Sequence, residues 1–164
     1  MLAIKLLLGV VASATFLAPA SAELQPGTAR LINTVAEHVT VKIDPPKCEE
    51  YPFMSGSFTP ATKTMVLCPE VIPTADDHDT VRHETWHVIQ YCMSPQNPVY
   101  LETVVDVNSV EWDSHIMSQL SPERIAFITS NYPRYAWNAE FEAYSVAQTL
   151  SATDITEIFI KACT

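Results

Sequence analysis

The sequence is poor in glycine and in basic residues. Three glycines stand against 12 prolines in 164 residues, so proline supplies most of the breaks between elements. Nine Lys and Arg residues face 19 Asp and Glu residues, which gives a formal net charge of −10. An acidic surface repels phosphate backbones, so binding to nucleic acid is disfavoured.

Long apolar runs are also missing after residue 18. The apolar run at residues 6–18 is shorter than the roughly 20 residues that a membrane-spanning helix needs. It follows a short positive start that ends at Lys5, and it precedes the small residues Ala20, Ser21 and Ala22. This pattern predicts a secretory signal peptide at residues 1–22 and a single domain at residues 23–164. We therefore expect an exported protein, periplasmic or extracellular, without membrane attachment after cleavage.

The four cysteines contain no C-x-x-C spacing, which argues against a zinc site built from thiolates. An even number of cysteines in an exported chain predicts disulfide bonds. Of the three possible pairings we favour Cys48–Cys68, which would close a local β-rich segment. The second bond would then be Cys92–Cys163, which would join the middle of the chain to its C-terminal segment.

The periodicity of apolar residues predicts an α+β fold, with a small early antiparallel sheet or hairpin followed by a mostly helical body. Residues 44–52 are predicted to form a loop. Strands are predicted at residues 39–44, 53–58 and 63–68. Helices are predicted at residues 28–39, 76–93, 101–120, 121–131, 134–150 and 153–163.

The segment TVRHETWHVIQYC, residues 80–92, has the composition of a metal-binding helix. His83 and His87 are four residues apart, so a helix presents both imidazoles on one face and both can reach one ion. Glu84 lies about 100° around the helix from His83, where it can face the ion without binding it. These three residues form the H-E-x-x-H pattern of zinc metallopeptidases.

A third ligand has to come from elsewhere in the chain. Gln90 and Met93 stand where a metzincin requires glycine and histidine, so that class is excluded. The segment EFEAY, residues 140–144, resembles the E-x-x-A-D motif of gluzincins, with Glu140 and Ala143 matching and Tyr144 in place of the aspartate.

On that match Glu140 is the third ligand, and Glu142 is the alternative. The two carboxylates are separated by about 200° around a helix, so only one of them can face the metal. Tyr144 removes the carboxylate that would normally support a ligand. Asp106, Asp113 or Glu142 are candidates to supply that hydrogen bond instead.

On His83, Glu84, His87 and residues 140–144, the chain resembles zincin-type metallopeptidases of the gluzincin kind, in a small secreted form with a minimal zincin-like domain. The resemblance implies Zn²⁺ bound by His83, His87 and Glu140. It also implies hydrolysis of a peptide or protein substrate by a zinc-activated water, with Glu84 as the general base. The substrate would be held by strand addition, along residues 54–58 or 63–68.

Other residues are weaker candidates for the site. Tyr144, Tyr135 and Arg134 could each stabilise an oxyanion from the helix at 134–150, and Tyr144 is the preferred one. His115 is a further candidate ligand or donor. Two other functions stay open: a zincin scaffold that binds zinc without proteolysis, and a disulfide-bonded domain without a metal.

Overall fold

The computed structural model describes residues 24–68, 75–94 and 100–164, and the signal peptide expected at residues 1–22 lies outside them. The described chain has the α+β fold that the sequence predicts, with a small sheet early and a helical body after it. Its elements are α1 (Pro26–Ala36), β1 (Thr40–Ile43), α2 (Pro46–Glu50), β2 (Gly56–Thr59), β3 (Thr64–Leu67), α3 (Ala75–Met93), α4 (Pro122–Asn131), α5 (Trp137–Thr149) and α6 (Ala152–Cys163).

The sheet has the strand order β1-β3-β2 and is mixed, where the sequence predicts an antiparallel one. β2 and β3 form the expected antiparallel pair, whereas β1 lies parallel to β3 on its other side. The prediction that residues 63–68 form an edge strand for substrate is therefore wrong, because β3 is paired on both sides. Its central position also explains why Met65, Val66 and Leu67 are all buried.

Helix α3 lies at the centre of the described core. It packs against α5 and α6, and it also contacts α1, β2 and β3. Val88 and Ile89 of α3 are fully buried, as are Ala143 of α5 and both Ile155 and Phe159 of α6. The small side chain of Ala143 suits the close approach of α5 to α3. The central position of α3 places His83 and His87 between packed elements and not in open solvent.

Both predicted disulfide bonds are confirmed. Cys48–Cys68 joins α2 to the residue after β3, and Cys92–Cys163 joins the last turn of α3 to the end of α6. Two disulfides fit an exported protein. Within the described residues, no helix is both long and apolar enough to span a membrane.

Two predictions of local structure are wrong. Residues 46–50 form the short helix α2, which begins with Pro46, in a segment predicted to be a loop. Residues 101–109 are irregular and not helical; the first regular turns are a π-helical turn at Trp112–Ile116 and a 3₁₀ turn at Met117–Gln119. The backbone N–H groups of Val104 and Val105 donate to the Glu142 side chain, which is a partner that local periodicity cannot reveal.

Candidate metal centre

His83 and His87 meet Glu140 where α3 packs against α5. The Nε2 atoms of the two imidazoles lie 3.0 Å apart. The Glu140 carboxylate approaches both of them, with Oε2 at 3.3 Å from His83 Nε2 and Oε1 at 3.4 Å from His87 Nε2. All three side chains are buried. The structure thus brings together the three residues that the sequence nominates as ligands.

These distances fit a metal ion. Ligand atoms at about 2.0–2.1 Å from a tetrahedral Zn²⁺ lie about 3.3 Å from one another. Glu140 Oε2 is also buried without a hydrogen-bond partner among the described residues. A buried carboxylate oxygen with no donor is costly unless a cation compensates it. The three residues could therefore hold a metal ion.

Gln90 orients the His87 ring. Its Oε1 lies 2.7 Å from His87 Nδ1, while its amide nitrogen donates to the Ala139 carbonyl and to Glu142. Since Gln90 Oε1 can only accept, His87 Nδ1 carries a proton. In the neutral ring the lone pair then sits on Nε2, which faces Glu140 and His83. In the sequence, Gln90 only excludes metzincins, and its contact with His87 is not predicted, although a polar residue three positions after His87 on an apolar helix face is a usable signal.

Glu142 is a buried acceptor for four N–H groups. Its Oε2 accepts from Trp86 Nε1 at 3.0 Å, from Gln90 Nε2 at 2.8 Å and from Val104 N at 3.0 Å. Its Oε1 accepts from Val105 N at 2.7 Å. Glu142 is fully buried and reaches His87 only through Gln90. Of the two glutamates considered as third ligand, the structure therefore brings Glu140 and not Glu142 to the histidines.

The other candidates for supporting the site lie elsewhere. Asp113 and His115 are exposed. Asp106 is exposed too, and its side chain accepts from Asn108. Of the three carboxylates proposed as a support for the ligands, Glu142 is the one that acts, and it acts through Gln90.

Glu84 is buried beside the three candidate ligands. The backbone N–H of Phe58 in β2 donates to its carboxylate, and its Oε2 has no partner among the described residues. Gly56 makes this approach possible, because a Cβ there would lie 2.8 Å from Glu84 Cγ and 2.7 Å from Thr80 Cγ2. Burial raises the pKa of Glu84, although the charges of His83 and His87 oppose the shift. A raised pKa brings the carboxylate closer to the range suited to a general base at neutral pH.

Without a metal ion, Glu140 and a protonated His87 form an ion pair. Burial alone would lower the pKa of His87, but the charges of Glu140 and Glu84 outweigh it and raise the pKa to about 9. Burial would likewise raise the pKa of Glu140, but His87 and His83 outweigh it and lower the pKa to about 2. The pocket between these side chains therefore favours positive charge, which a proton or a metal ion can supply.

Two tyrosines flank the histidines. The Tyr144 ring packs on the His83 ring with centroids 4.3 Å apart, and its hydroxyl lies 3.4 Å from the hydroxyl of Tyr132. Burial raises the pKa of both tyrosines, so both hydroxyls stay protonated and can donate. Tyr135 and Arg134 are exposed, and the Tyr135 ring packs on that of Tyr100 instead. Tyr144 is predicted from the sequence as an oxyanion donor. Tyr132 is not predicted, because it precedes α5 and belongs to no recognisable motif.

A cleft of about 340 Å³ opens beside the three candidate ligands. Residues 53–56, which lead into β2, form one wall, and α4 and α5 form the other. His83, Glu84, Tyr132 and Tyr144 line it together. A molecule in the cleft can therefore contact the candidate base, one ligand and both tyrosines.

Comparison with protein-family models, with curated proteins and with solved structures finds no match for this chain. Its function therefore has to be inferred from the residues of the site.

Proposed function

We propose that this protein is a zinc-dependent peptidase, a hydrolase that acts on peptides or proteins outside the cytoplasm. The observation that carries the proposal is the convergence of His83 Nε2, His87 Nε2 and the Glu140 carboxylate beside the buried carboxylate of Glu84. Two imidazoles and one carboxylate are a donor set that catalytic zinc sites use. An inert metal site has no need of a second carboxylate that lies in the same cleft and does not bind the metal.

The residues divide the chemistry between them. His83, His87 and Glu140 would hold Zn²⁺, which would supply a Lewis acid that activates water and polarises the carbonyl of the scissile bond. Glu84 takes a proton from the attacking water and then donates it to the departing amine nitrogen. The proton is thus returned, and hydrolysis leaves the carboxylate of Glu84 unchanged for the next cycle.

Tyr144 is the preferred donor to the carbonyl oxygen as negative charge develops on it. Its hydroxyl is protonated, lines the cleft and belongs to a ring packed on His83. Tyr132 lies next to it and offers a second hydroxyl. A fixed donor at this position stabilises the transition state more than the substrate.

β2 is the strand along which substrate would bind. Its inner edge pairs with β3, and its outer edge has no strand partner among the described residues. Residues 54–56 line the cleft, and the Phe58 backbone donates to Glu84. An extended peptide added to this edge would pass the general base.

The test uses the disulfide-bonded protein without its expected signal peptide. We expect one zinc per chain by elemental analysis and cleavage of a random peptide library. Glu84→Gln should keep the zinc and lower kcat by about 10²- to 10⁴-fold, whereas His83→Ala should lose both. Glu157→Gln, an exposed change on α6, is the matched control and should alter neither property. Stoichiometric zinc without turnover, unaffected by Glu84→Gln, would instead indicate a binding module.

A further inference from the structure

Among the described residues, the cleft beside the candidate metal centre contains one cationic side chain without an ionic partner. Among the described residues that line the cleft, Arg124 of α4 is the only lysine or arginine. Its side chain makes no hydrogen bond or ion pair with any described residue. Arg82 of α3 differs, because it is paired with Asp79 and donates to the Ala147 carbonyl.

Two aromatic rings contact the Arg124 guanidinium. Its central carbon lies 4.4 Å from the centroid of the Tyr144 ring and 5.5 Å from that of Phe127. Stacking on a ring uses the face of a guanidinium and leaves the N–H groups on its edge available. Those N–H groups have the spacing that binds both oxygens of a carboxylate. The two rings thus place Arg124 at the cleft, where its guanidinium N–H groups have no hydrogen-bond partner among the described residues.

The surroundings of Arg124 favour an anion. Arg124 lies in the first turn of α4, where the helix dipole is positive, and Ser121 caps that turn by accepting from the Arg124 backbone N–H. The chain as a whole carries a formal charge of −10 and repels acidic ligands. An acidic group on a substrate would therefore have to be recognised locally.

We propose that Arg124 forms a subsite for a carboxylate of the substrate. This inference rests on the proposed peptidase function. The Tyr144 ring centroid lies 4.3 Å from that of His83 and 4.4 Å from the Arg124 guanidinium carbon, so these two groups are at most about 9 Å apart. At about 3.4 Å per extended residue, the carboxylate then lies about two or three residues from the scissile bond. The carboxylate is either the free C-terminus of a peptide or the side chain of Asp or Glu.

Two matched pairs of peptides distinguish these sources. The first pair is acetyl-Ala-Ala-Ala-Ala as the free acid and as its C-terminal amide. The second is acetyl-Ala-Ala-Asp-Ala amide and its Asn counterpart. We expect kcat/KM to be about 10- to 100-fold higher for the acid of one pair than for its neutral partner, the range for hydrogen bonds between charged groups. The pair that shows the preference identifies the source of the carboxylate.

Substitution of Arg124 should remove that preference. In Arg124→Gln the ratio of kcat/KM between the paired peptides should fall to about one, and in Arg124→Lys, which keeps the charge but loses the planar fork, it should be intermediate. Arg134→Gln, an exposed change outside the cleft, should keep the wild-type ratio. Melting temperatures of the four proteins confirm that each is folded.

Binding of the same peptides to Glu84→Gln by calorimetry separates this inference from the peptidase proposal. Tighter binding of the acid, lost when Arg124→Gln is added, supports the subsite even if no peptide is cleaved. If wild type and the Arg124→Gln variant cleave or bind the acid and neutral peptides equally well, the subsite proposal is wrong. Such a result does not contradict the peptidase proposal.

Discussion

Replacing Glu142 by glutamine would put an amide where four N–H groups now converge on a carboxylate. Three of them point at Oε2 and one, from Val105, points at Oε1. Whichever way the new amide is turned, its NH₂ group faces at least one N–H donor. The better orientation sets NH₂ against Val105 and leaves that part-buried donor unsatisfied.

The cost can be worked out from these contacts. One buried, unsatisfied N–H costs about 1–3 kcal/mol. The three remaining hydrogen bonds become neutral and weaker, while the relief of burying a neutral side chain offsets part of that loss. We expect Glu142→Gln to lower the free energy of unfolding by about 2–4 kcal/mol, which is a large share of the roughly 5–15 kcal/mol typical of a domain.

Urea unfolding of the metal-free protein with its disulfides intact measures this change, and Glu157→Gln is the isosteric control on an exposed surface. Zinc titration of the same variants gives a second measurement. Because Glu142 holds Gln90 and Gln90 holds the His87 ring, zinc affinity should fall by about 10- to 100-fold. If the free energy of unfolding of Glu142→Gln is within about 0.5 kcal/mol of wild type and its zinc affinity is unchanged, then Glu142 neither stabilises the fold nor supports the His87 ring.

Three further changes have defined outcomes. Gly56→Ala introduces contacts under 3 Å and should lower the free energy of unfolding by about 1–3 kcal/mol and remove most of the proposed peptidase activity. Gly27→Ala, whose new contacts are 3.7 Å, should not destabilise, and equal melting curves for both variants would contradict the close approach of β2 to α3. Joint replacement of Cys92 and Cys163 by serine opens a loop with a sequence separation of 71 and should cost about 4 kcal/mol in thermal or urea unfolding; a loss below about 1 kcal/mol would refute this. Tyr144→Phe should lower kcat by about 10²- to 10³-fold with zinc content unchanged; unchanged kcat would remove the tyrosine from the mechanism.

The parts of the fold with local causes are the parts that the sequence predicts well. α4 has a serine cap and a proline at its first position, α3 carries a long helical pattern, and β3 is a short apolar run that follows the turn at Pro60–Thr62. The disulfide pairing is also predicted, because Cys48–Cys68 closes a local segment and leaves Cys92 and Cys163 as the second pair.

The parts that fail depend on contacts between distant segments. Residues 101–109 have helical composition, but Val104 and Val105 give their N–H groups to a side chain about 40 residues later. α5 is buried on most of its surface, so its pattern does not show whether Glu140 or Glu142 faces the histidines. Arg124 reaches the cleft only because α4 packs on α5, which no local signal in α4 indicates.

The Cys92–Cys163 bond has a consequence for when the candidate metal site can form. Cys92 ends the helix that carries His83 and His87, and its partner is 71 residues further along the chain. The bond closes only after both segments have reached an oxidising compartment. If this bond is needed to hold the metal helix firmly against α5 and α6, a chain still in the reducing cytoplasm has a loosened site. If the protein is the peptidase proposed above, oxidation would then prevent hydrolysis inside the cell that makes it, and activity measured before and after mild reduction tests this dependence.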